Sequence, residues 1–188
     1  PRGQIQRGVM QQSIIYRNRE GGGPCAYGQG WAEVWNSVWQ GNGWDTSVGG
    51  TGDITAASRG DFEHFAVYNS IVQKHPSNVS WTDTAPSNFN NTKCPISDYN
   101  LYRPVSSDSE RLSDFECVGE GVYARGDRTY ANPPDFIGDH DILGSKYVSG
   151  FMNGDENAYE KANFRLTAGS SAIDAGTYFF RTSSQGKG

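Results

Sequence analysis

The chain has no apolar run of 18 residues, so nothing in it reads as a membrane-spanning helix. It also lacks a dense basic run: 16 Lys and Arg lie scattered among 21 Asp and Glu, and the net charge of −5 argues against a nucleic-acid partner. Cysteine is scarce. Cys25, Cys94 and Cys117 stand too far apart for a zinc knuckle or a redox pair. No Gly-x-Ser-x-Gly elbow, phosphate loop or His-Glu-x-x-His motif occurs. Nor does any stretch keep a convincing 3.6-residue apolar period, which removes the usual signature of an amphipathic helix.

What is present is glycine (24 residues), aromatics (13%) and a short repeated phrase. Phe65-Ala66-Val67-Tyr68-Asn69-Ser70-Ile71-Val72 echoes Ala32-Glu33-Val34-Trp35-Asn36-Ser37-Val38-Trp39. Weaker copies run through Met10-Gln11-Gln12-Ser13-Ile14-Ile15 and Asp98-Tyr99-Asn100-Leu101-Tyr102. From Gln12 to Asn36, Asn69 and Asn100 the steps are 24, 33 and 31 residues. A repeat of that length, rich in β-branched and aromatic residues, predicts short strands stacked layer upon layer. An amide at each step predicts a ladder, in which Gln12, Asn36, Asn69 and Asn100 tolerate unusual backbone angles and hydrogen-bond along the stack.

The length suits one domain, residues 1–188, with repeat layers over 1–134 and an atypical terminal segment over 135–188. Residues 73–95 form a long polar excursion holding two glycosylation acceptors, Asn78-Val79-Ser80 and Asn90-Asn91-Thr92. With a chain that opens at Pro1 rather than Met, these predict a processed, exported protein. A disulfide between Cys94 and Cys117 would join neighbouring layers and leave Cys25 over; free buried thiols are the alternative. Strand alternation through Val34–Trp39 puts Trp35 and Trp39 on one face, where exposed indoles would stack on sugar rings or on a neighbouring subunit.

Two stretches carry a family resemblance. Asn163-Phe164-Arg165-Leu166-Thr167-Ala168-Gly169-Ser170-Ser171-Ala172-Ile173-Asp174-Ala175-Gly176 resembles the closing motif of secreted right-handed parallel β-helix proteins of the pectate-lyase-like superfamily. Ser97-Asp98-Tyr99-Asn100-Leu101-Tyr102 resembles one of their rungs; Ser171 departs from the pattern, which usually has Pro there. The resemblance implies an all-β fold, a right-handed parallel β-helix or solenoid with long loops, closed by a last rung near residues 163–176. It also implies a polar outer face used by lyases and hydrolases on polysaccharides, and by adhesins, tail spikes and surface fibres on other partners.

Chemistry is thinner. Asp135, Asp139 and Asp141 around His140 are the best acidic cluster, and Asp139 with Asp141 would offer oxygens to Ca²⁺; no other cofactor is implied. Asp53, Asp61 and Glu63 form a second acidic group, and Lys74-His75 follows the central repeat as a candidate base. No catalytic residue stands out. The expectation is a non-catalytic extracellular or cell-surface structural subunit, glycosylated and self-associating into an oligomer or filament. The alternative is a polysaccharide lyase or glycoside hydrolase of the β-helix type, or a C-terminal piece of one, with carbohydrate as partner.

Overall fold

The computed structural model describes residues 6–16, 30–40, 54–55, 62–74, 81–82, 95–104, 111–117, 123–144, 151–153, 163–170 and 172–177. Every regular element among them is a strand. The chain lays down β1 (Gln6–Gln11) and β2 (Ile14–Tyr16), then β3 (Gly30–Trp35), β4 (Val38–Gln40) and β5 (Ile54–Thr55). Next come β6 (Phe62–Tyr68), β7 (Ile71–Lys74) and β8 (Trp81–Thr82), followed by β9 (Ile96–Asp98), β10 (Leu101–Pro104) and β11 (Arg111–Cys117). β12 (Tyr123–Thr129), β13 (Ile142–Leu143), β14 (Phe151–Asn153) and β15 (Asn163–Leu166) complete the order.

Successive passes of the chain add to the same sheets. The first sheet runs β1-β3-β6-β9 and the second β2-β4-β7-β10-β13, with parallel pairing throughout. The third runs β5-β8-β11, parallel, and ends in β12, which pairs antiparallel with β11. Register partners in parallel neighbours lie 24 to 41 residues apart along the chain, long enough for the crossover that parallel pairing requires.

Register makes the core a set of columns. Met10, Val34, Val67 and Ser97 are partners on the inner side of the first sheet. Ile15, Trp39, Val72, Tyr102 and Leu143 are partners on the inner side of the second. Val34, Trp39, Val67, Val72, Tyr102, Leu112 and Phe136 form the buried cluster where these columns meet. Like side chains at about 4.8 Å spacing pack on one another, which is why Val34 and Val67 recur in the repeat.

A corner separates the first sheet from the second in each pass. Gln12, Asn36, Asn69 and Tyr99 take φ of 50°, 49°, 49° and 58°, in the left-handed region that Asn enters more readily than most residues. The corner restarts the in-and-out alternation. Val34 points in and Trp35 out, but beyond Asn36 it is Trp39 that points in, fully buried, while Val38 is half-buried on the outer side. The expectation that Trp35 and Trp39 share a face is therefore wrong, because alternation does not run through a left-handed residue.

The terminal segment also departs from expectation. Phe164-Arg165-Leu166 lies in β15, which pairs antiparallel with β14 and adds no parallel layer. Among the described residues the last parallel strand is β13, on β10.

Candidate functional site

A file of hydrogen bonds climbs the inside of the corner, and it runs through serine. The Ser13 N–H donates to Ser37 Oγ (3.2 Å), the Ser37 N–H to Ser70 Oγ (3.2 Å), and the Ser70 N–H to Asn100 Oδ1 (2.9 Å). The Asn100 N–H then donates to Asp141 Oδ1 (2.7 Å). Each serine hydroxyl gives its own proton to a carbonyl two residues back: Ser13 to Gln11, Ser37 to Trp35, Ser70 to Tyr68. Its lone pairs are left to accept from the preceding layer. Return bonds come one residue on, from Val38 N–H to Ser13 O, Ile71 to Ser37, Leu101 to Ser70 and Ile142 to Asn100, at 2.7–2.9 Å.

The amide ladder expected of Gln12, Asn36, Asn69 and Asn100 takes a different form. The first three occupy corner positions, with Gln12 and Asn36 exposed, while Asn100 stands one place later, in line with Ser13, Ser37 and Ser70. Asp98 pairs with Tyr68, so Tyr99 becomes the fourth corner residue. The serine file was visible as the Gln-Ser, Asn-Ser, Asn-Ser pairs of the repeat. What hid it was the change from Ser to Asn in the last copy. Ser70→Ala is expected to cost about 1–2 kcal/mol in chemical denaturation, because the buried Ser37 N–H loses its acceptor.

Asp141 ends the file. Besides the Asn100 N–H, its carboxylate accepts from Asn100 Nδ2 (3.0 Å), the Gly138 N–H (2.9 Å) and the Ser97 hydroxyl. Asn100 Nδ2 also reaches Val67 O and Ser97 Oγ, and Ser97 Oγ lies 2.7 Å from the Tyr102 hydroxyl. The turn that delivers Asp141 is built by Ile137 N–H to Pro134 O and Asp141 N–H to Gly138 O, with Phe136 sunk in the core. Gly138 sits directly on β9: a Cβ there would run into the Ser97 carbonyl oxygen and the Asp98 carboxylate.

Burial pushes the Asp141 carboxyl above its ordinary range, and the donors from Ser97, Asn100 and Gly138 offset part of that rise. The sign for stability follows. A carboxyl whose folded pKa is raised favours the folded state most below its unfolded value, and that contribution is lost as pH rises through the raised value. Wild type compared with Asp141→Asn should therefore lose relative stability on going from about pH 4 upward, measured by urea unfolding at a series of pH values.

Asp139 and Asp135 are exposed, whereas Asp141 faces inward with its oxygens occupied by N–H and O–H donors. Among the described residues no group of three His, Cys, Asp or Glu could hold a metal ion. His140 instead turns to Asp98. Its Nδ1 lies 3.1 Å from Asp98 Oδ1, its backbone N–H bonds the same oxygen (3.2 Å), and its ring stacks on Tyr99 at 4.2 Å and 5°.

On the outer side of the first sheet the register column Gln11, Trp35, Tyr68, Asp98 runs beside the corner. The Trp35 and Tyr68 rings lie 4.4 Å apart, and Trp35 Nε1 donates to Glu33 Oε2 (2.9 Å). Burial, with Glu33 and Asp98 nearby, raises the Tyr68 phenol above its usual value. Trp35 is half-buried here, and Trp39 offers no surface at all.

The outer side of the second sheet meets the C-terminal turn. Asn69 Nδ2 donates to Thr177 O (2.6 Å) and the Thr177 N–H donates back to Asn69 Oδ1 (2.9 Å), so the corner amide acts as a short length of strand edge. Phe164 meets Tyr16 edge-on at 5.1 Å. Between sheet and segment lies a cavity of about 350 Å³, with Val38, Ile71 and Leu101 on one wall and Phe164 and Ala175 on the other. Asn69→Ala is expected to lower stability by about 1–2 kcal/mol and to speed amide exchange at Thr177 while leaving Ile71 protected.

Cys117 is disulfide-bonded, and its partner lies outside the described residues, as do Cys25 and Cys94. The acceptors Asn78 and Asn90, the acidic Asp53 and Asp61, His75, and the side chains of Glu63 and Lys74 lie outside them too. No helix among the described residues is long and apolar enough to cross a membrane.

Fold and site together define an all-β protein with parallel sheets and a corner file of serine hydrogen bonds. Comparison with known proteins finds no matching family model, no similar curated protein and no similar solved structure.

Proposed function

We propose that the chain is a parallel β-helix and a non-catalytic structural unit of an extracellular assembly, joined to its neighbour by strand pairing at the β1 edge. The observation that carries this reading is the one-sided edge. Among the described residues β1 pairs only with β3. Val9 on that strand is 38% exposed, and Ile14 beyond the corner is 56% exposed. A row of unpaired backbone groups beside apolar side chains is a template for another strand. Glycans at Asn78 and Asn90 and a Cys94–Cys117 disulfide would accord with an oxidising, extracellular setting. Negative-stain images of the native material should show ordered, repeating particles or fibres. A dispersed monomer that depolymerises a polysaccharide would overturn the reading.

The carbohydrate-directed alternative has its own support in the Trp35–Tyr68 pair flanked by Glu33 and Asp98 on one outer column. Aromatic faces beside carboxylates suit sugar rings, which pair an apolar face with hydroxyl donors. Under it, Trp35→Ala would abolish oligosaccharide binding in calorimetry, whereas Trp39→Ala would act only through stability.

A further inference from the structure

We infer that the Asn36 corner and the cavity beside it form a docking site for an extended peptide segment of another protein. Asn36 would hold that segment by the same two-point clamp that Asn69 closes on Thr177. The site lies on the outer side of the second sheet and stands whether or not β1 takes a neighbouring strand.

The clamp at Asn69 supplies the pattern. Its Nδ2 donates to Thr177 O (2.6 Å) and its Oδ1 accepts the Thr177 N–H (2.9 Å). A side-chain amide carries a donor and an acceptor side by side. It meets both backbone groups of one residue where that residue is extended, with its N–H and C=O turned the same way. Facing residues of an antiparallel ladder exchange the same two bonds. The approach is close: a Cβ on Gly176 would come within 3.3 Å of Asn69 Oδ1. The clamp therefore reads main chain, and a glycine before the held residue eases the contact.

The chain builds the same amide one layer earlier. Asn36 and Asn69 share a φ of 49°. They follow the register partners Trp35 and Tyr68 and precede the partners Val38 and Ile71. Their N–H groups donate alike, Asn36 to Tyr68 O and Asn69 to Asp98 O. The backbone thus directs the two Cα–Cβ bonds alike, about 4.8 Å apart along the stack. Both residues border the cavity of about 350 Å³ under the C-terminal turn. They differ in cover. Asn69 is half-buried beneath Thr177, whereas Asn36 is exposed.

The cavity sets the rest of the chemistry. Val38, Ile71, Leu101, Phe164 and Leu166 give it apolar walls, and no charged side chain borders it. Its volume is in the range of small binding pockets. A segment that turns an extended residue to Asn36 and an apolar side chain to these walls satisfies both parts of the site. Main chain is already seated on this face at Thr177, so a peptide at Asn36 continues a contact that the fold itself makes.

The probe is a peptide of the sequence Ala172–Thr177, acetylated and amidated at its ends, titrated onto the wild-type protein. The side-chain amide signals of Asn36 should move in a saturable way in nitrogen–proton correlation spectra, while the Thr177 amide stays in place. Asn36→Gly removes the clamp and keeps the positive φ without strain. It should weaken binding at least about tenfold, read at the Val38 amide. Should Asn36→Gly fail to fold, Asn36→Asp keeps the corner and one acceptor but loses the donor, and it too should bind more weakly. No shift at Asn36 at the highest soluble peptide concentration would overturn the inference. So would movement of Thr177 in its place, or equal binding by the Asn36 variants. Shifts at Asn36 caused by maltohexaose and not by the peptide, or by raising the protein concentration alone, would assign the site to a sugar or to a second copy and overturn it as well.

Discussion

Asp141→Ala is expected to lower the folding free energy by about 4 kcal/mol, the largest loss for any polar side chain among the described residues. The carboxylate is the common acceptor for the Asn100 and Gly138 N–H groups, for Asn100 Nδ2 and for the Ser97 hydroxyl. Asn100 Nδ2 keeps Val67 O, and Ser97 can turn to Tyr102. The two backbone donors have no such recourse, and each stranded donor costs about 1–3 kcal/mol. The desolvation that raises the Asp141 pKa works in the opposite sense, so an apolar replacement of the whole group would cost less than deleting one member. Asp141→Asn keeps the shape and one acceptor oxygen, and its loss should be about half as large. Urea titrations at pH 7 measure both; a loss under about 1 kcal/mol for Asp141→Ala would show that the file does not end there.

Trp39→Ala should cost about 3–5 kcal/mol, the usual range for removing a large buried aromatic. Trp39 is fully buried and sits in column with Ile15, Val72 and Tyr102. Its removal opens a cavity that the parallel backbones, held by hydrogen bonds on both sides, cannot collapse to fill. Trp35→Ala removes a half-buried ring from the outer side and should cost under about 2 kcal/mol. If the two losses were equal, or their order reversed, the corner would not invert the faces as described. Thermal and urea unfolding of the two variants side by side makes that comparison.

Much of the fold could be read from the repeat because layers in register demand like residues at like positions. Val34 and Val67 share the first inner column, and Asn36 and Asn69 share the corner. Ser37 and Ser70 share the hydrogen-bond file. What the repeat concealed was the difference between position and role. Asn100 follows a Tyr as Asn69 does, yet it stands in the serine place, because Asp98 rather than Tyr99 pairs with Tyr68. Trp39 was misplaced because a left-handed residue between two strands cancels the alternation that assigns faces. Asp141 lies 41 residues beyond Asn100, outside any repeat, and local pattern gives no sign that its carboxylate closes the file. The Phe164-Arg165-Leu166 motif suggested a rung, but pairing depends on which strand edge it reaches, and it reaches β14.

The central claim is that each pass of the chain hydrogen-bonds in register to the one before. Scalar couplings across hydrogen bonds, measured on the isotope-labelled protein, test it at the four return bonds of the corner. Couplings should join the Val38, Ile71, Leu101 and Ile142 amides to the Ser13, Ser37, Ser70 and Asn100 carbonyls, respectively. Couplings from those amides to other carbonyls, or free solvent exchange at all four, would contradict the account.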